Sequence, residues 1–310
     1  MRIVFMGTPD FAAYHLDEII KNGFNVVGVF SQPDKPRGRG KKIVPTPVKM
    51  VGERYKIPVF QPKSVNKKFG FEILQSLKCD LIITVAYGKI LKKRVIELPP
   101  FGCFNVHASI LPKYRGAAPI QRVLLNGEKE TGITIFKIDE GMDSGPVVLE
   151  KNIEILPEDN FGSLSEKLLE TGKKLTIDFL EKIVVDDITY KEQDHTKASY
   201  AKKICEEDLF IHNYFSWSEV YNKIRAFDPD PGAKTFFEGK KIKLYGALPG
   251  TDIISGKKGE IVNITKKFME VQCYDGTVKV EKVQFPGKNI ITPWQAKSGR
   301  LLKTGDVLGG

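Results

Sequence analysis

The first 31 residues constrain the fold more than any other stretch of the chain. Residues 2–6 are a short apolar run, and Thr8 followed by Pro9 suits a helix start with a hydroxyl cap and proline at the first helical position. Phe11, Ala12, His15, Leu16, Ile19 and Ile20 then recur at helical spacing until Asn22 and Gly23 stop the helix, and residues 25–31 are a second apolar run. Strand, helix and strand in that order predict a mostly parallel sheet covered by helices. The turn Gly7, Thr8, Pro9, Asp10 lacks the GxGxxG that lets a pyrophosphate approach the backbone, which disfavours dinucleotide binding. His15 falls near the apolar side of the helix, where a structural role is expected.

The pattern continues with helices expected over about 46–55 and 66–77 and a short strand at 57–60. Residues 80–86 form a continuous apolar strand that should be central, ended by Tyr87 and Gly88. The next strand lies in residues 101–112, FGCFNVHASILP, and closes on Asn105, Val106 and His107 before Ser109, Ile110, Leu111 and Pro112 break it. Side chains two apart on a strand share a face, so Asn105 and His107 point the same way. Residues 115–126 look helical from Ala117, strands are expected at 131–138 and 147–155, and an amphipathic helix at 161–183. Between those two strands sits an acidic loop, Asp139, Glu140, Gly141, Met142, Asp143, Ser144, Gly145.

Composition sets the boundaries. At 310 residues and 41% hydrophobic content the chain is globular and long enough for two domains. It holds no apolar run near membrane-spanning length, and its amino terminus enters a strand pattern without a signal-like segment, so a soluble, cytoplasmic protein is expected. Cys79, Cys103, Cys205 and Cys273 are scattered without CxxC spacing; neither a metal site nor a disulfide framework is expected. The net charge is +10, and half of that excess falls in residues 34–49, where Lys35, Arg37, Arg39, Lys41, Lys42 and Lys49 face Asp34 alone. Pro33, Pro36, Pro45, Gly38 and Gly40 interrupt the same stretch, which predicts an extended basic loop without regular structure.

After residue 187 the character changes. Residues 188–206 are polar and aperiodic and read as a linker. From 207 to 310 a helix is expected at 216–227, a turn at FDPDPG (227–232), and short alternating strands at 240–245, 259–265, 268–273 and 277–285. Such spacing suggests a small β-barrel of the oligonucleotide-binding (OB) type. The expected class is therefore α/β: a Rossmann-like, mostly parallel sheet domain over 1–187, a linker over 188–206 and an OB-like barrel over 207–310.

The spelling NVH, then SILP, then DEGMDSGP resembles the folate-dependent formyltransferases. GTPDF at 7–11, QPDKPRGRGKKIVPTPVK at 32–49, VAYGKIL at 85–91 and RGAAPIQRVLLNG at 115–127 are similar to the branch that acts on methionyl-tRNA. The resemblance covers nearly the whole chain and is looser after about residue 185. It departs around 202–217, where Cys205, Glu206, Glu207 and then Ile211, His212, Asn213 replace the usual pattern, and at Asp230, where relatives carry tryptophan between two prolines.

The resemblance implies an enzyme that moves the formyl group of 10-formyltetrahydrofolate to the α-amino group of initiator methionyl-tRNA, as a monomer and without a metal. It assigns catalysis to Asn105, His107 and Asp143, and the folate pocket to Ser109, Ile110, Leu111, Pro112, Tyr87 and Gly88. The basic loop, through Lys35, Arg37, Arg39, Lys41 and Lys42, is assigned to the tRNA, with Arg39 on the arginine of the GRGKK pattern. The chemistry fits: addition of an amine to a formyl group puts negative charge on oxygen, which Asn105 and His107 can meet with donors, while Asp143 orients the ring or takes the amine proton. No covalent nucleophile is required, so Ser109 and Ser144 are not read as a triad serine. Other members of the superfamily, acting on a nucleotide-sugar amine or hydrolysing 10-formyltetrahydrofolate, share the three residues; the GRGKK loop and the carboxy-terminal barrel favour tRNA. A tRNA-binding protein without catalysis is expected to have lost one of the three.

Overall fold

The computed structural model describes every residue except Gly38, Arg39, Gly40, Lys41, Phe215 and Gly310, and the side chains of Arg37 and Lys42 are also outside the description. The chain divides into two compact units, neither continuous in sequence.

The first unit comprises Met1–Ala117, Thr131–Ile153 and Lys167–Ala201. Its seven-stranded sheet runs, edge to edge, Val147–Glu154, Glu130–Lys137, Cys103–His107, Leu81–Val85, Arg2–Gly7, Asn25–Phe30 and Val59–Phe60. The five strands from Cys103–His107 to Val59–Phe60 are parallel, and Glu130–Lys137 joins antiparallel. Every residue of Leu81–Val85 is buried, as a strand covered on both faces requires. The helix Lys68–Ser76 closes part of one face with Phe71 and Leu74, buried in one cluster with Val4, Met6 and Ile82. Each such side chain contributes roughly 2 kcal/mol by leaving water. Chain order reverses between Arg2–Gly7 and Leu81–Val85, and in open sheets of this kind ligands bind beyond the carboxyl ends of strands beside that reversal.

Two local expectations change. The first helix spans Asp10–Lys21 with Pro9 at the cap position and no side-chain cap. Thr8 instead donates its hydroxyl to the Tyr87 carbonyl at 3.3 Å and so ties two strand ends together. The basic stretch is not wholly irregular: Lys35–Arg37 and Lys42–Val44 pair antiparallel, Lys35 with Val44 and Arg37 with Lys42. A two-stranded ribbon leaves alternate N–H groups facing outward, where Pro36 forfeits nothing. The Asp34 carboxylate anchors its base, accepting from Lys49 Nζ (2.6 Å), Gln61 Nε2 (2.7 Å) and Thr46 N (3.3 Å).

Of the polar residues 188–206 that the sequence assigns to a linker, those up to Ala201 belong to the first unit. Lys191 bridges Val147, and Tyr200–Ala201 pairs in parallel with Arg115–Gly116.

The second unit comprises Ala118–Glu130, Glu154–Glu166 and Lys202–Gly310. Its antiparallel sheet runs Ala233–Phe237, Lys240–Pro249, Gly276–Gln284, Met269–Cys273, Ile261–Ile264, with Ile290–Ile291 added on Gly276–Gln284. The strand Ala233–Phe237 is missing from the sequence reading because its two-residue hairpin turn, Glu238 (φ +48°) and Gly239 (φ +68°), is not spelled with the usual Asn-Gly or Asp-Gly. Among the described residues no ladder joins the two edge strands, so the barrel is not closed strand to strand. Residues 306–309 span the gap: Ile261 N and Leu308 N bond to Asp306 O and Gly259 O, and Gly309 N bonds to Phe236 O, all at 2.8 Å. The helix Trp217–Ala226 packs Val220 and Ile224 into this unit's core with Ile242, Leu244, Val271 and Val280.

Candidate active site

Asn105 and His107 stand at the carboxyl end of Cys103–His107, and strand register decides their neighbours. Asn105 is half-buried and lies beside Thr84 on Leu81–Val85. Thr84 Oγ1 donates to Asn105 Oδ1 at 2.7 Å, which fixes the plane of the carboxamide and leaves its Nδ2 hydrogens without a partner among the described residues. His107 is 6% exposed, with the Phe136 ring edge-on at 6.4 Å. Its Nε2 lies 2.9 Å from the Tyr114 carbonyl oxygen. A carbonyl only accepts, so this nitrogen carries the proton and Nδ1 is the free position. Nδ1 faces Asp143 Oδ2 at 3.8 Å, beyond direct hydrogen-bond reach. In the neutral ring Nδ1 is an acceptor; it becomes a donor only in the imidazolium form.

Asp143 arrives from a loop held in an unfavourable backbone region, with φ +48°. Such a conformation costs an aspartate about 1 kcal/mol and persists only where surroundings impose it. Oδ2 accepts the backbone N–H of Gly116 at 2.7 Å. Gly116, at φ +117°, has to be glycine, because a Cβ there would sit 2.9 Å from the Ala201 carbonyl oxygen of the paired strand. Asp139 closes the loop's other end, accepting from Gly141 N (3.0 Å) and Ser144 Oγ (2.8 Å).

The remaining candidates divide. Tyr87 is buried with its ring in the core, and burial pushes its phenol up to about 12. Its carbonyl is taken by Thr8 and Gln32, whereas Ala86 (φ +45°) and Gly88 (φ +74°) on either side are exposed. Ser109 is fully buried, and its hydroxyl donates to the Lys113 carbonyl at 2.7 Å, closing the 109–113 turn. Leu111 packs with Phe136 and Val147; Ile110 and Pro112 are half-buried and keep the accessible surface of this segment. Neither Ser109 nor Ser144 contacts His107, whose two ring nitrogens face Tyr114 and Asp143. Lys35 is exposed; Arg39 and Lys41 lie outside the described residues, as do the side chains of Arg37 and Lys42. Among the described residues no group of three or more His, Cys, Asp or Glu side chains is placed to hold a metal ion, and no helix is long and apolar enough to cross a membrane.

Three residues that touch this arrangement escape a reading of the sequence: Thr84, Arg115 and Gln193. Thr84 leaves a faint signal, the one hydroxyl inside LIITV. Gln193, in an aperiodic polar stretch, leaves none.

Residues 1–180 match the family described as formyl transferase, and residues 203–301 match the formyl transferase carboxy-terminal domain. The chain is 60% identical over 311 residues to the methionyl-tRNA formyltransferase of Kosmotoga olearia, covering 100% of both chains. It is 50% identical over 305 residues to that of Thermotoga maritima, covering 98% of this chain and 97% of the relative. Among solved structures, WlaRD, a sugar 3N-formyl transferase crystallised in the presence of dTDP and 5-N-formyl-THF, superimposes with a TM-score of 0.69 at 20% identity, over 93% of this chain and 99% of that one. At that identity the likeness is one of fold.

Proposed function

The chain belongs to the formyl transferase family, and on that premise we propose that it transfers the formyl group of 10-formyltetrahydrofolate to the α-amino group of initiator methionyl-tRNA. The observation that carries this reading is end-to-end similarity, at 60% and 50% identity, to proteins of that activity, with both units matched. The sugar-amine alternative rests on structures near 20% identity, which speak for the fold alone.

The folate supplies the formyl group, and the chain offers a seat for it beside the carboxyl ends of the central strands. Exposed, left-handed backbone at Ala86 and Gly88 gives flat access beyond the central strand, and Ile110 and Pro112 give apolar surface. Asn105 Nδ2, unpartnered and held in plane by Thr84, donates to the oxygen on which negative charge gathers as the amine adds. His107 donates from Nδ1 in its imidazolium form; its Nε2 proton stays on Tyr114. Asp143 orients that ring and takes the proton leaving the attacking amine, directly or through water, and a proton is returned to N10 of the folate as its bond to the formyl carbon breaks and tetrahydrofolate departs. Because the neutral amine is itself the nucleophile, the reaction needs neither a metal nor a covalent bond to the protein, and turnover should survive dialysis against a chelator. Lys35, Arg37, Arg39, Lys41 and Lys42 hold tRNA phosphates, and the enzyme works in the cytoplasm.

The deciding experiment incubates the protein with 10-formyltetrahydrofolate and charged initiator tRNA and assays N-formylmethionine, with an amino-sugar nucleotide in a parallel tube. Formylation of the sugar and not of the tRNA would overturn the reading.

A further inference from the structure

A chain of buried polar groups ends on the loop that carries Asp143. Gln193, 7% exposed, donates from Nε2 to two backbone carbonyls of that loop, Asp143 O at 3.0 Å and Gly145 O at 2.7 Å. Its Oε1 accepts from Nε (3.2 Å) and Nη2 (2.6 Å) of Arg115, which is itself 4% exposed. Arg115 Nη2 also donates to His195 Nδ1 at 3.0 Å. The Gln193 amide can sit only one way round, since a guanidinium only donates and carbonyls only accept. Both amide hydrogens and both lone pairs are used, as a buried carboxamide requires. Next to Arg115, the backbone N–H of Gly116 holds the Asp143 carboxylate itself.

We propose that Gln193 and Arg115 are positioning residues for Asp143, an inference that rests on the formyl-transfer reading of the same site. Gln193 pins the main chain of residues 143–145, so Asp143 stays at φ +48° with its carboxylate facing His107 Nδ1 at 3.8 Å. Once unpinned, Asp143 relaxes to an ordinary backbone conformation and its carboxylate leaves the imidazole. A displacement of about 1 Å at a reacting group can cost roughly 100-fold in rate.

The test uses the full-length protein with Gln193→Met, which removes every hydrogen bond at similar length, and Gln193→Glu. The second variant keeps both bonds from Arg115 but sets an oxygen against the two carbonyls. With Gln193→Glu, turnover should fall about 10- to 100-fold while KM for both substrates stays within about threefold. In an Asp143→Asn background either change should cost less than about threefold, because the group it positions no longer acts. Losses that multiply in the double variant, or normal turnover in Gln193→Glu, would overturn the inference.

Nuclear magnetic resonance gives a readout independent of substrate. The chemical shifts of the His107 ring in Gln193→Glu should follow those of Asp143→Asn; coincidence with wild type overturns the proposal even if Gln193→Met does not fold. A wild type that formylates no tRNA refutes the functional reading instead, and the ring chemical shifts still judge the clamp.

Discussion

Two buried histidines in the first unit differ in how their ring nitrogens are used. His15, wholly buried, donates from Nδ1 to the Phe11 carbonyl at 2.8 Å, lies 4.8 Å from the Phe11 ring, and has no partner for Nε2. The long helix Phe161–Val184 makes room for it with a glycine, since a Cβ on Gly172 would sit 2.6 Å from Nε2. Burial pushes the His15 imidazole down from 6.5 to about 4, so it is neutral at physiological pH. His107 is nearly as buried, yet its proton is fixed on one nitrogen by Tyr114 and its other nitrogen faces a carboxylate. Burial alone makes a histidine inert. What readies His107 for chemistry is a second nitrogen directed at a charge.

The largest effects should separate the two histidines outright. His107→Ala, Asn105→Ala and Asp143→Ala should each lower turnover by at least about 100-fold with tRNA affinity nearly unchanged, because they act on the transition state. His15→Leu, similar in volume, should leave turnover within about twofold. A catalytic loss in His15→Leu comparable to that of His107→Ala would erase the distinction.

Next in size is an acid effect that belongs to His15. Because its folded-state pKa lies below the unfolded value, the unfolded chain binds the extra proton first. Its contribution to stability is whole above about pH 6.5, declines as pH falls toward 4, and amounts to about 3 kcal/mol across that window. Urea unfolding between pH 7 and 4 should show that decline in the wild type and a flatter profile in His15→Leu; identical slopes would mean the ring is protonated in place.

How much of this could be read from the sequence follows from the range of the interactions. Asn105 and His107 were legible because strand periodicity is local: two residues apart means one face. The role of His15 was legible from helical spacing alone. The Thr84–Asn105 bond depends on register between strands 21 residues apart, and Gln193 reaches Asp143 across 50 residues. No local pattern encodes such distances, so the family resemblance could point to Asn105, His107 and Asp143 as candidates while the groups that aim them left no such sign. The strand Ala233–Phe237 was missed for a local reason, a Glu-Gly turn in place of the commoner spellings.

The smallest expected effect tests that hidden support. Thr84→Val keeps shape and burial and removes the hydroxyl that donates to Asn105 Oδ1 at 2.7 Å and, more weakly, to the Phe104 carbonyl at 3.3 Å. One hydrogen bond is worth about 0.5–1.5 kcal/mol, so turnover should fall roughly three- to tenfold with KM unchanged and only a small drop in thermal midpoint. No change in turnover would mean that strand register alone aims the carboxamide.

The carboxy-terminal segment sets an order of events. Residues 306–309 add hydrogen bonds at Ile261, Gly259 and Phe236, beside the outer edges of Ile261–Ile264 and Ala233–Phe237, and they leave the ribosome after every strand they pair with. Until then the outer edge of Ile261–Ile264 lacks these bonds and that of Ala233–Phe237 is met, among the described residues, only at Lys234, whose carbonyl accepts from Ile211 N, so both offer the kind of template that recruits other chains. Closing the gap also brings Gly309 to Phe236, a contact of long sequence separation and hence of slow formation. A chain ending at residue 305 should therefore self-associate at concentrations where the full chain does not, and sedimentation showing both equally monomeric would refute this.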